Sequence, residues 1–258
     1  MTPAALSHQV KALEERIGAA LFHRIPQGLA LTDEGRSLLP VVREAFDAIA
    51  EQLARTGNPN ARTVLSVGVV GAFATGWLLP RLPLFEVAFP GVDLRLSTNN
   101  NRVDIAEEGL DFAIRFGDGA WHGTAADLLF AAPLTPLCDP ATAARLASPD
   151  DLSGEILLRS YRSDDWPDWF EVAGAETPAS FGPMFDSSVA MVEAARRGYG
   201  VALAPARLFE AALASGEIVK PFAIEAGDNG YWLTWLKSRA QSPALSEFRD
   251  WIIQAART

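Results

Sequence analysis

Residues 3–40 read PAALSHQVKALEERIGAALFHRIPQGLALTDEGRSLLP, and three local signals follow one another within them. Thr2 suits the position that caps a helix, and Pro3 suits the first helical residue, where its missing N–H is not needed. Leu6, Val10, Leu13 and Ile17 then recur at spacings of four, three and four. That spacing predicts a helix over 2–18 with one buried apolar stripe, ended by Gly18. Ser7, His8, Lys11 and Glu15 fall on the opposite face. Next, Leu21–Phe22 and Leu29–Leu31 flank the turn-forming Pro26-Gln27-Gly28, which predicts a short β-hairpin. Thr32 caps a second helix with Asp33 and Glu34 in its first turn, where the helix dipole favours acids. Leu38, Leu39, Val42, Phe46, Ile49 and Leu53 give that helix a coiled-coil-like seam to about Arg55, with a kink at Pro40.

Outward from this stretch, Thr56-Gly-Asn-Pro-Asn60 reads as a linker. Strand and helix patterns alternate after it. Val64–Val70 is a β-branched run, Ala74–Ala88 is helical in pattern, Val92–Ser97 alternates, Ile105–Gly109 is a short helix and Phe112–Phe116 a strand. This βαβαβ order predicts a mostly parallel sheet with helices on both faces. A second set follows: Leu128–Leu137 extended, Ile156–Tyr161 a strand, Trp166–Ala173 helical, Ser188–Arg197 a helix capped by Ser188, Val201–Ala204 and Tyr231–Leu236 strands, and Pro243–Ala256 a final helix.

The 258 residues suit more than one ordinary domain, and 49% apolar with 21% charged residues is globular composition. Cys138 is the single cysteine, so no intrachain disulfide forms and a reducing compartment is expected. The first residues lack the apolar core of a signal peptide, and no apolar run is long enough to span a membrane. A cytoplasmic protein without membrane partners is the expectation. The net charge of −10 excludes a general polyanion binder, yet leaves room for a small DNA-reading head on a larger acidic body. His122 has no nucleophile-elbow serine and no His/Cys cluster around it, so neither catalysis nor a metal or cofactor is expected.

The run at 3–40 resembles the winged helix-turn-helix of LysR-type bacterial transcription regulators, in which a recognition helix is followed by a Leu-Phe-x-Arg strand, a wing turn and a Leu-Thr-x-x-Gly step. VGVVGAFATGWLLPRLPLF (67–85), LSTNNNRVDIAEEGLDFAIRFGDGAWHGT (96–124), FDSSVAMVEAA (185–195) and YWLTWLKSRAQSP (231–243) are similar to the β-lactamase-regulator subgroup of that family. The resemblance implies an α/β protein with three parts. Residues 1–31 would be a partial winged helix-turn-helix and 32–60 a linker and dimerisation helix. Residues 61–258 would be a periplasmic-binding-protein-like (type 2) effector-binding domain, with subdomains at about 61–134 plus 238–258 and about 135–237. The family's head has two further helices before the recognition helix, so the expected head is truncated and DNA binding by this form is in question.

What the resemblance implies about sites can be placed residue by residue. Thr2, Pro3, Ala4, Ser7, His8 and Lys11 at the start of the recognition helix, with Arg24 and Gln27 of the wing, would meet phosphates and base edges. Their other reading is an ordinary solvated face. A small effector would sit between the two subdomains, near strand C-termini. Gly71, Ala72 and Thr75 open a helix there; the subgroup commonly carries threonine where this chain has Ala72, and Thr75 would supply a hydroxyl if it faced the cleft. Thr98, Asn99 and Asn100 follow a strand, and amides can both donate and accept. Asp104 sits at a position the family uses for switching, or is a helix cap. Ser187, Ser188 and Tyr231 complete the set, each with a structural reading beside it. The expected partners are an inverted-repeat operator, the effector, a second or further copies of the chain as a homodimer or homotetramer, and RNA polymerase. The effector would be a muropeptide and the target a β-lactamase gene. A stand-alone small-molecule-binding protein with an inactive head is the alternative.

Overall fold

The computed structural model describes residues 3–26, 28–39, 41–42, 45–46, 49, 62–161, 165–238 and 242–257. The chain divides into two compact units, Met1–Ala61 with Ser238–Ala240, and Arg62–Lys237 with Gln241–Thr258.

In the first unit, helix α1 (Pro3–Ile17) ends at Gly18, whose φ of 78° is open to glycine. The Glu14 carboxylate accepts from the N–H groups of Leu21 (2.7 Å) and Phe22 (3.1 Å) and so fixes the entry to the hairpin. Strands β1 (Phe22–Ile25) and β2 (Gly28–Leu31) pair antiparallel, Phe22 opposite Leu31 and Ile25 opposite Gly28. The Thr32 hydroxyl accepts from Gly35 N–H at 3.0 Å and donates to the Ala20 carbonyl at 2.6 Å, capping a helix that begins at residue 33. Leu21 is the buried apolar anchor here. The stripe expected to be buried on α1 is not: Leu6, Leu13 and Ile17 are exposed, because no described element of this unit covers that face. Val42, Phe46 and Ile49 of the second helix's seam are likewise exposed, while Pro40 and Leu53 lie outside the described residues.

The second unit holds two sheets. Strands β3 (Thr63–Val70), β4 (Val92–Asn99), β5 (Phe112–Gly117) and β6 (Thr124–Ala131), with the late β11 (Gly230–Leu236), form a five-stranded sheet in the order β4-β3-β5-β11-β6. β3 runs parallel to β4 and β5, whereas β11 runs antiparallel to β5 and β6. The sheet is therefore mixed rather than mostly parallel. The expected subdomain boundary also shifts. The expected second subdomain takes in residues 230–237, but β11 is hydrogen-bonded into the middle of the first sheet. Nor is 128–137 one extended segment: it divides into β6 and β7 (Thr135–Leu137), which belong to different sheets. The second sheet has the order β7-β10-β8-β9, with β8 at Leu157–Ser160, β9 at Met184–Phe185 and β10 at Val201–Ala204.

Two crossing segments join the lobes and pair with each other. Leu134 and Ala226 exchange backbone hydrogen bonds of 2.8 and 2.9 Å, and Ala132 N–H reaches the Asn229 carbonyl at 2.9 Å. The apolar core is continuous across both lobes. Val67, Phe112, Ile114 and Leu233 lie against Phe248 and Ile252 of the final helix on one side, and Trp169, Phe170, Val201 and Leu203 pack on the other. Each such side chain contributes about 1.5–3 kcal/mol on burial. After β3 the chain is helical from Gly71 to Ala88, but the stretch Ala74–Leu78 is wound as a π-helix. There Gly76 lies so near the second lobe that a Cβ would stand 2.0 Å from the Leu208 carbonyl oxygen.

Candidate functional site

The carboxyl ends of parallel strands from both sheets converge on one cleft. Val70 and Gly71 leave β3, Asn99 ends β4, Phe116 is near the end of β5, Ser160 ends β8, Phe185 ends β9 and Pro205 follows β10. Tyr231 joins them because β11 runs antiparallel, which puts its N-terminal end beside the end of β5. Strand carboxyl ends are where open α/β sheets bind ligands, since the loops and helix N-termini there leave backbone groups unspent. The cleft encloses about 530 Å³ including its open mouth.

Its walls carry amides, hydroxyls and aromatic rings. Ala72 is buried in the floor. Tyr231 is also buried, its ring packed at 5.2 Å from Phe73, 5.1 Å from Phe116 and 5.6 Å from Phe130. Ser187 and Ser188 stand at the start of helix Ser188–Arg196. Ser187, not Ser188, is its cap: the Ser187 hydroxyl accepts from Ala190 N–H at 3.4 Å, and Ser188 is the first helical residue. Asp186 is the charged side chain of the wall among the described residues.

The loop after β4 is held by its own side chains. Asn101 has a φ of 64°, a left-handed conformation that asparagine tolerates. Its side chain clamps one peptide of β5, donating to the Phe116 carbonyl at 2.7 Å and accepting from Phe116 N–H at 2.8 Å. The Asn99 side-chain oxygen accepts from Asn101 N–H at 2.9 Å. Its Nδ2 is buried over Gly68 and has no hydrogen-bond partner among the described residues. Arg115, itself buried, donates to the Val103 carbonyl at 2.7 Å and lies 5.5 Å from the Trp121 ring. Burial lowers its pKa, and the carboxylates of Asp104 and Glu108 oppose that shift.

Of the expected ligand residues, the structure brings Gly71, Ala72, Asn99, Asn100, Ser187, Ser188 and Tyr231 together in the wall. Three it does not. Thr75 is exposed and turned back on its own helix, its hydroxyl donating to the Gly71 carbonyl at 3.0 Å. Thr98 is exposed and outside the wall, because side chains alternate along β4 and Asn99 takes the inward place. Asp104 caps the short helix Ile105–Glu108, accepting from Ala106 N–H at 2.8 Å and Glu107 N–H at 2.9 Å. Sequence reasoning missed Ser160 and Tyr161, while Asp186, read as part of the loop with Ser187 and Ser188, does line the wall. The two missed residues end a strand of the second sheet, and a search of every strand end would have found them.

In the first unit, Pro3 and Ala4 open α1, and Ser7, His8 and Lys11 are exposed along it. Lys11 approaches Glu15 only at 3.9 Å with both side chains mostly in solvent, so its ammonium is loosely held. Arg24 is exposed on β1. Thr2 and Gln27 lie outside the described residues. No cluster of metal-binding side chains occurs among the described residues, and no helix among them is long and apolar enough to cross a membrane.

Comparison with known proteins agrees with this arrangement. The family model for the LysR substrate binding domain matches residues 59–257, and that for the bacterial regulatory helix-turn-helix protein, lysR family, matches residues 1–36. The HTH-type transcriptional activator AmpR of Pseudomonas aeruginosa is 58% identical over 258 residues, spanning 99% of this chain and 87% of the relative. The solved effector domain of that regulator superposes with a TM-score of 0.73 over 75% of this chain and 95% of its own. The Citrobacter freundii effector binding domain, solved with a threonine changed to valine, a serine to alanine and a tyrosine to phenylalanine, is 45% identical. It gives a TM-score of 0.73 over 75% of this chain and 98% of its own. These relatives are regulators of transcription, not enzymes. From its DNA-binding head to its two-lobed cleft, the chain belongs to the LysR family of bacterial transcription regulators.

Proposed function

We propose that this regulator reads a muropeptide in the cleft between its lobes and controls a β-lactamase gene in response. The observation that carries the reading is the wall itself. Ser187, Ser188 and Tyr231, with Asn99 beside them, line the point where both sheets' strand ends meet, and hydroxyls and amides are a chemistry suited to a peptide on an amino sugar. The serine and tyrosine match residue types that were altered in the Citrobacter freundii domain. Ala72 stands where the subgroup commonly has threonine, which weakens one contact and leaves the others. Effector binding would shift the population of lobe arrangements and with it the spacing of the DNA heads.

On the DNA side, the exposed Ser7, His8, Lys11 and Arg24 would meet an inverted-repeat operator, with Pro3 and Ala4 beside them. The chain would act in the cytoplasm as a homodimer or homotetramer in contact with RNA polymerase. Thermal denaturation with and without a muropeptide tests the effector: a rise in melting temperature is expected, and no shift at millimolar ligand would overturn it. A gel shift on an inverted-repeat operator tests the DNA side: retardation is expected, and its absence would overturn that part of the reading.

A further inference from the structure

The loop after β4 is fixed to the first lobe yet reaches the second. Three of its hydrogen bonds end on β5 or come from it, through Asn101 at Phe116 and through Arg115 at Val103. Its tip is therefore a rigid arm. From that tip the Asn100 Nδ2 donates to the Asp186 Oδ2 at 2.8 Å, across 86 residues of chain and across the cleft. Two residues on, the Arg102 guanidinium stands 5.7 Å from the Tyr161 ring of the opposite lobe. Asn100, Asp186 and Tyr161 all line the cleft.

Asp186 thus offers a carboxylate to the cleft, and a side-chain amide of the other lobe donates to it. We propose that Asp186 is the residue that recognises a nitrogen donor of the effector, an ammonium or an amide N–H, and that Asn100 is a built-in competitor for the same oxygen. On binding, the effector's N–H takes the place of the Asn100 Nδ2. A carboxylate binds an ammonium more strongly than a neutral amide, since the ion pair adds to the hydrogen bond. The exchange therefore favours effectors with a free amine. This inference rests on the cleft being the effector site and adds the chemical class that the site selects.

The prediction is one of opposite signs at the two ends of a single hydrogen bond. Asn100→Ala removes the competitor and should tighten binding of an amine-bearing effector by about two- to tenfold, the range a net hydrogen bond gives. Asp186→Asn removes the recognition charge and should weaken binding by about tenfold or more. Both side chains are exposed, so both variants keep the fold. The probes are a muropeptide fragment whose diamino acid carries a free side-chain amine and the same fragment acetylated on that amine. Each is titrated by calorimetry into the full chain, wild type and the two variants.

The supporting result is tighter amine binding by Asn100→Ala, together with loss in Asp186→Asn of the preference for the amine over its acetylated form. A contact that merely holds the lobes together would shift both fragments alike and in the same direction in both variants. That result, or an unchanged preference in Asp186→Asn, overturns the proposal while the effector reading stands. If neither fragment binds the wild type or Asn100→Ala, the effector reading is overturned and the proposal with it.

Discussion

Ala72 shows how much one side chain can decide. It is 2% exposed yet lines the cleft, so a larger side chain there crowds the packing while adding a group to the wall. Ala72→Thr should cost about 1 kcal/mol of stability in the empty protein, from overpacking. It should also increase the effector-induced rise in melting temperature, because a hydroxyl joins the wall. Thermal denaturation with and without muropeptide reads both effects at once. Cys138 behaves in the opposite way. Burial pushes its thiol up to about 12, with Asp139 and Glu155 adding to the shift and Arg145 opposing it. The nucleophilic thiolate is then scarce at neutral pH. A thiol reagent at pH 8 should leave the native chain unmodified and label Cys138 only in denaturant. At this scale the sequence was a partial guide. It singled out Tyr231 and the asparagine run, because amides clustered after a strand are a local pattern. It could not tell Asn99 from Thr98, since only the pleat of β4 says which of two adjacent side chains points inward.

Among the elements, the helical run after β3 carries the tightest contact. Gly76 sits in its π-wound turn, where a Cβ would lie 2.0 Å from the Leu208 carbonyl oxygen and 2.8 Å from its carbon. Backbone cannot yield as a side-chain tip does, so Gly76→Ala should destabilise the second unit by about 2–3 kcal/mol in urea unfolding. The periodicity of 74–88 gave the helix, but a π-turn and a backbone-to-backbone approach leave no mark on apolar spacing. The helix Ser188–Arg196 makes a pH prediction. Hydrogen bonds from Arg196 and Arg197 hold the Glu193 pKa at about 2, down from the ordinary 4.5. The folded state thus favours the carboxylate more than the unfolded chain does. The resulting stability is complete above pH 4.5 and fades as pH falls toward 2. Glu193→Gln should flatten that part of the stability–pH curve, as followed by circular dichroism.

For the whole molecule, the continuity of the apolar core across the two lobes is the governing fact. Lobes that share a core should melt together, so calorimetry should show one cooperative transition for the second unit rather than one per lobe. Effector at a hundred times its Kd should stabilise that transition by about 2.7 kcal/mol. The fold class and the order of elements were legible because alternating strand and helix periods are local properties. Which strands pair was not. Nothing in the pattern of Tyr231–Leu236 says that it enters the first sheet between β5 and β6, since that choice is made by residues more than a hundred positions away.

That insertion has a consequence for how a ribosome delivers the protein. Synthesis releases β5 and β6 early, but the strand that belongs between them is not complete until residue 236. Until then the growing chain carries two strand edges with unspent hydrogen-bonding groups, an invitation to stray pairing. Folding of the first lobe must wait until that strand emerges and then close a very long loop, which makes it slow. A chain released prematurely anywhere before residue 230 would lack the middle of its larger sheet, and proteolysis rather than a half-active regulator is its expected fate.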